Sequence, residues 1–322
     1  MSHTEPVTVP MNVEWQPCWL TWVSATTTCL RALGVDCDCA DVAGMSGYAF
    51  VLNVHKELCP SGPTAFDWGM LAPGVNALGR STLQFPTSDC SSPETRANCQ
   101  AAYEVVAQEV AAGRPCVLWG AYVPEFAAAI GVQDGCFLVK SFREVRFEPQ
   151  PPIPCEELQA PGGPYVLAFP TRIAAVPGGG DARAITHAAE LLLTPNRHGD
   201  YGFGLAAYGT WVAFMEGEGD NTFGNAYNTQ CYAQGRALAH KFLTRVLARN
   251  PKLAEPLGSA VSAYEAAARA MGQLAQLFPF PARDELSDRP RRQEAVGLLR
   301  SAQKAEASAA DALRVAAATW PA

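Results

Sequence analysis

A change of texture at Val176-Pro177-Gly178-Gly179-Gly180 constrains the fold of this chain more than any other feature. Upstream, apolar residues come in short runs punctuated by glycine and proline. Downstream, Ala, Leu, Glu and Arg recur with helical spacing. A proline followed by three glycines makes a flexible linker, so the chain divides into residues 1–175 and residues 181–322. Its 322 residues suit two domains of roughly 150 residues each. The expectation is an α+β domain followed by an all-helical one.

In the first half, a helix is expected from Cys18 to Leu33, stopped by Gly34, with Val23, Leu30 and Leu33 on its apolar side. A short helix around Cys39 to Gly44 follows. Met45 to His55 reads as a glycine-punctuated turn feeding a strand. Cys59 to Pro63 reads as a loop, and Trp68 to Leu78 as a helix ended by Gly79. Glu94 to Ala112 is amphipathic and closes at Gly113. Arg114 to Gly120 reads as a buried strand. Glu125 to Gly131 and Cys136 to Lys140 flank Val132-Gln133-Asp134-Gly135, and Asp-Gly between apolar runs is a strong hairpin signal. A proline-rich stretch runs from Pro149 to Pro164, and Tyr165 to Phe169 reads as the last strand. The second half holds five expected helices: Ala182 to Leu193, Gly204 to Met215, Ala226 to Ala248, Ala254 to Phe278 and Ser287 to Ala318. This pattern suits a helical bundle.

The net charge of −7 offers no basic footprint for nucleic acid. Arg289-Pro290-Arg291-Arg292 reads as a solvated helix start. Met1 to Pro6 lacks the basic-then-apolar pattern of an export signal. No apolar run reaches the roughly 18 residues that span a bilayer. These features predict a cytoplasmic protein without a membrane partner. Its 11 cysteines are then mostly reduced thiols, many of them small core residues. Cys37-Asp38-Cys39 lacks the second Cys or His pair of a zinc site, so no metal is expected. Gly178-Gly179-Gly180 and Gly202-Phe203-Gly204 lack the pattern of a phosphate loop, and no cofactor is expected.

Cys18 is the leading chemical candidate. It lies in Trp15-Gln16-Pro17-Cys18, directly before the first expected helix. A thiol at a helix N-terminus sits in the positive end of the dipole, which lowers its pKa and favours the nucleophilic thiolate. Gln16 or Asn12 can donate to an oxyanion formed there. The competing account is a buried thiol at a helix cap.

Five segments occur in a familiar order. They are a Cys opening the first helix, Gly44-Met45-Ser46-Gly47-Tyr48-Ala49-Phe50, Cys59-Pro60-Ser61, Pro115-Cys116-Val117-Leu118-Trp119-Gly120, and Pro124-Glu125-Phe126 ahead of Ile130-Gly131. Over roughly residues 12 to 170 the chain resembles the papain-like cysteine peptidase and acyltransferase superfamily. Within it, the chain is most similar to the bacterial group related to bacteriocin-leader (double-glycine) peptidases and to the N-terminal domain of butirosin-biosynthesis protein H. That last protein moves an amino-acyl group from a carrier-protein thioester to an aminoglycoside amine. The resemblance therefore implies a papain-like first domain, a role in biosynthesis, and Cys18 as a nucleophile. Its partner would be a small-molecule or carrier-protein-bound acyl substrate. The chain departs from the pattern at the base. The leader peptidases place a His six residues before the Gly of the hairpin strand, and Glu125 stands there before Gly131. The Asp that follows the next strand in those enzymes is not found after Val139-Lys140-Ser141-Phe142.

Glu125 is a weak base for a thiol, since a carboxylate titrates near ~4.3 and a free thiol near ~8.5. It is better suited to holding an amine by a charge-assisted hydrogen bond, or simply to capping backbone groups. His55, at the end of an expected strand, is the substitute base, with a surface role as its bland alternative. Tyr48, Tyr208, Trp211, Asn225 and Asn228 form the substrate-binding candidates, the last four in a polar-aromatic patch of the helical half. An interdomain hydrogen-bond network is the duller account of that patch. Three functions compete: a cysteine-dependent acyltransferase or amide hydrolase on a small amine-bearing or peptide-like substrate, a papain-like ligand-binding pseudoenzyme, and an assembly subunit that forms a homo-oligomer.

Overall fold

The computed structural model describes residues 5–85, 96–175, 178–194 and 199–321. Val176 and Pro177 of the expected linker, the first residues of the helix expected from Glu94, the loop residue His198 and the N-terminal Met1 to Thr4 lie outside the described residues. In chain order the elements are β1 (Val7–Thr8), α1 (Thr21–Ala32), α2 (Cys39–Ser46), β2 (Asn53–His55), α3 (Ala72–Val75), β3 (Leu83–Phe85), α4 (Arg96–Ala111), β4 (Cys116–Trp119), β5 (Phe126–Gln133), β6 (Cys136–Lys140), β7 (Ile153–Pro154) and β8 (Val166–Ala168). They continue as α5 (Asp181–Leu193), β9 (Tyr201–Phe203), α6 (Leu205–Glu216), α7 (Thr222–Arg249), α8 (Ala254–Leu277) and α9 (Arg289–Ala318). The chain is therefore mixed α and β with a helical C-terminal region.

Two compact units emerge, and they are not two consecutive halves. The first comprises residues 1–42 and 75–176, the second residues 43–74 and 177–322. A division by composition leaves residues 43–74 with the first domain. Their contacts assign them to the second, because β2 has its antiparallel partner in β9, with Asn53 opposite Phe203 and His55 opposite Tyr201.

The first unit is built on an antiparallel sheet of order β3-β8-β4-β5-β6-β7, with β1 also pairing β5. The expected hairpin is present. Asp134 and Gly135 take φ of 48° and 81°, the left-handed pair that a two-residue turn between twisted strands needs. Gly131 sits at a register shift in β5. Cys116 and Leu118 of β4 pack with Ala102, Val106 and Val110 of α4. Val117 and Trp119 alternate to the other face and are also buried. The helix α1 packs against β4 and β5 as well. It starts at Thr21, three residues after Cys18, and its last turn closes over Gly34 at φ 76°. Leu20 at its N-cap offers no side-chain cap. The sequence expectation of a helix opening at Cys18 is thus corrected, because Gln16, Pro17 and Cys18 remain outside helical geometry.

Two further expectations change. Met45 to His55 is not one strand: α2 runs to Ser46, Gly47 turns at φ 86°, and Tyr48–Phe50 form a 3-10 turn before the short β2. Residues 48 to 52 are all buried, so no alternation could build a half-exposed strand. The helix expected from Trp68 to Leu78 is divided into a 3-10 turn at Trp68–Met70, the short α3 and a second 3-10 turn at Asn76–Leu78.

In the second unit α8 packs on α7 and α9, and α9 on α5 and α6. The five helices expected downstream of the linker are all there, within a few residues at each end. At the centre, Arg236 of α7 and Glu306 of α9 form a bidentate pair at 2.6 and 3.1 Å with both side chains at 0 % exposure. Arg236 also donates to the Val51 carbonyl at 2.7 Å. Burial, and then the Glu306 carboxylate, push the neighbouring Tyr208 and Tyr264 hydroxyls far above the ordinary tyrosine range. Replacing Glu306 with Ala strands a buried guanidinium and should cost about 3–5 kcal/mol in urea denaturation, while Arg236→Met with Glu306→Leu should recover much of that loss.

A second prediction concerns His187 of α5. Its ring lies against Gly47, where a Cβ would come within 2.5 Å of it, and its Nε2 is buried without a hydrogen-bond partner. Burial lowers its pKa below the usual value, outweighing Glu190, which raises it, and Arg183 lowers it further. The neutral form is favoured in the fold, so this contribution is fully present above the unfolded value of ~6.5 and is lost as pH falls through ~6.5 toward the depressed folded value. Denaturation midpoints measured from pH 8 down to pH 5 should therefore decline below ~6.5, with a shallower decline for His187→Gln.

Candidate active site

Cys18 is half-buried, carries no disulfide, and follows the exposed Pro17. The segment that bears it is held by the hydroxyls of α1. The Gln16 N–H donates to Thr28 Oγ1 at 3.0 Å, and the Ser24 hydroxyl donates to the Gln16 carbonyl. The segment is thereby tied to the helix at Gln16, with Cys18 two residues beyond that anchor. The Gln16 side chain donates through Nε2 to the Glu14 carbonyl at 3.1 Å. An amide NH2 has two donors, so this bond orients Gln16 and leaves a second N–H for another acceptor. Asn12 is exposed and contacts Glu14 Oε1 at 3.5 Å.

Glu125 reaches the same helix end. The hydroxyl of Thr21, the first residue of α1, donates to Glu125 Oε2 and accepts from the Phe126 N–H at 3.1 Å. Main-chain bonds from Gly120 N to Glu125 O at 3.0 Å and from Glu125 N to Val123 O at 2.6 Å fix the turn before β5. A carboxylate beside the first turn of a helix is favourably placed against the dipole. Cys18 itself lies outside that turn, and the dipole effect fades within the first turn.

Where a papain-like enzyme would carry an acid after the next strand, Ser141 is fully buried and donates to Gln150 Oε1 at 2.7 Å. It also caps the 3-10 turn at Phe142–Glu144. Among the described residues the first unit holds no histidine.

The remaining candidates belong to the second unit. His55 stacks edge-on against Tyr201 at 4.9 Å, and its Nδ1 accepts from the Glu57 N–H at 3.2 Å. Tyr48 donates to the Pro63 carbonyl and packs on Phe66. Trp211 donates to Asn225 Oδ1 at 3.1 Å, and Tyr208 lies in the Arg236–Glu306 cluster. Asn228 donates to the carbonyls of Leu58, Cys59 and Gly224. Tyr48 is 3 % exposed and the other four are fully buried. The structure brings Trp211 and Asn225 together, and ties Asn228 to the loop at Leu58, which holds a left-handed φ of 49°. All of these contacts lie inside the second unit. Cavities of about 760 and 910 Å³ flank the Gly217–Asp220 loop, and none of the five residues lines either.

Thr21, Ser24 and Thr28 are site residues beyond those expected from the sequence. The signal was present: hydroxyls inside an otherwise apolar helix need partners once buried. Removing the Thr21 hydroxyl takes one hydrogen bond each from the Phe126 N–H and the Glu125 carboxylate. Thr21→Val should lower stability by about 1–3 kcal/mol in chemical denaturation, and Thr21→Ser should retain most of it.

No protein-family model matches this chain, and no curated protein matches it in sequence.

Proposed function

We propose that the first unit is a papain-like domain in which Cys18 accepts an acyl group from a thioester or amide and passes it to an amine or to water. The observation that supports this most is the Thr21 bridge, which holds Glu125 at the start of the helix that follows the Cys18 segment. Cys18 precedes the first turn of α1 by three residues, and the Glu125 carboxylate accepts from the first residue of that turn. Cys18 Sγ attacks the carbonyl carbon, the thiol or amine leaving group departs with the proton, and the acyl group rests as a thioester on Cys18. The free N–H of Gln16 suits the developing oxyanion. Glu125 suits the ammonium of the acceptor better than it suits the role of base, since its charge disfavours a neighbouring thiolate. The substrate class is a small amine-bearing or peptide-like acyl compound, met in the cytoplasm.

A second reading has one observation in its favour: the described part of the first unit has no imidazole. Without that base, the Glu125 carboxylate would hold an amine-bearing ligand and Cys18 would not turn it over.

Iodoacetamide labelling across pH, read by peptide mapping, separates the two. Burial, with help from Asp41, pushes Cys37 up to about 12. Burial also carries Cys29 and Cys116 well above the ordinary thiol range. These thiols should stay unlabelled in the folded protein. The acyl-transfer reading expects Cys18 to label first, with a midpoint well below the free value of ~8.5. Labelling of Cys18 only at high pH would eliminate the thiol route and leave the binding reading, for which Glu125→Gln should abolish amine binding.

A further inference from the structure

Away from Cys18, two other thiols of the first unit meet. Cys99 lies in α4 and is part-exposed, while Cys155 opens the 3-10 turn directly after β7 and is 6 % exposed. The Cys155 sulfur rests 2.6 Å from the main-chain oxygen of Cys99. The two side chains also meet, the Cys99 and Cys155 thiols being hydrogen-bonded to each other. Both residues belong to one packed layer, in which Cys155 joins Ala102, Val106 and Ile153, and Cys99 packs against it. Neither is assigned any part in the chemistry proposed for Cys18. Both are thiols in this structure.

We propose that Cys99 and Cys155 form a reversible disulfide when the protein meets a peroxide, stapling α4 to the end of β7. The part-exposed Cys99 is oxidised first. Its sulfur attacks one oxygen of hydrogen peroxide, the O–O bond breaks, the departing hydroxide takes the Cys99 proton, and a sulfenic acid and one water result. The Cys155 sulfur then attacks the Cys99 sulfur, the S–O bond breaks, and hydroxide leaves with the Cys155 proton as a second water. Two thiols lose two electrons in all, and the peroxide gains them. Burial, and then the neighbouring Cys99 thiol, push Cys155 up to about 12.

The test uses the full chain, hydrogen peroxide as the probe, alkylation of remaining thiols, and peptide mass spectrometry. The expected result is a Cys99–Cys155 linked peptide that dithiothreitol removes, together with a higher thermal midpoint for the oxidised protein. In Cys155→Ser, Cys99 should become labelled by a sulfenic-acid trap and the linked peptide should vanish. Recovery of both thiols as alkylated peptides after oxidation would overturn the proposal. So would a link from Cys99 to Cys90 in the wild-type chain, or Cys99 carried to the sulfinic acid with Cys155 still a thiol.

Discussion

The helix α1 is buried over ten consecutive residues, Thr21 to Leu30, and five of them carry hydroxyls. A hydroxyl taken out of water without a partner costs about 1–3 kcal/mol, so a buried helix of this composition dictates what must lie against it. Thr27 turns back to the Val23 carbonyl at 2.7 Å. Thr28 and Ser24 take the backbone of Gln16. Thr21 takes the Glu125 carboxylate and the Phe126 N–H. Thr26 Oγ1 alone of the five has no partner among the described residues, and the approach of the chain to Cys18 and the position of Glu125 both follow from the bonds the others make. The site is a consequence of how the helix is satisfied.

The second unit solves a similar problem with charge. A buried Arg236–Glu306 pair beside two tyrosine hydroxyls is weak evidence for stability, because desolvating two ions offsets most of their attraction. It does fix which faces of α7 and α9 meet, and it reaches the Val51 carbonyl in the segment that carries β2. Tyr232, one turn before Arg236, accepts from the Asn53 N–H at 3.2 Å and donates to the Asn53 carbonyl. These bonds recruit residues 43–74 into the helical unit.

Local periodicity made much of this legible. The helices after the linker, the Asp134-Gly135 hairpin and the buried strand β4 all come from patterns that neighbouring residues complete among themselves. What was hidden depends on distant partners. Nothing near Asn53 says that Phe203 will pair with it, and nothing in the polar-aromatic patch distinguishes a pocket from a clamp until Asn228 is seen on the Leu58 and Cys59 carbonyls. The start of α1 is not legible because Cys18 and Trp19 are as apolar as the helix that follows. The pairing of Thr21 with Glu125 spans 104 residues, and only the spacing of Glu125 from Gly131 hinted that this position mattered.

The placement of residues 43–74 bears on how the protein is made. Asn53 leaves the ribosome 179 residues before Tyr232, which closes on it. At synthesis rates of ~5–20 residues per second that is a wait of roughly ten to forty seconds. During it Tyr48 to Leu52, all buried in the finished protein, have no helices to cover them. A nascent chain in this condition exposes an apolar stretch to other chains and to chaperones. A gene truncated at the glycine linker would produce a polypeptide that never resolves it.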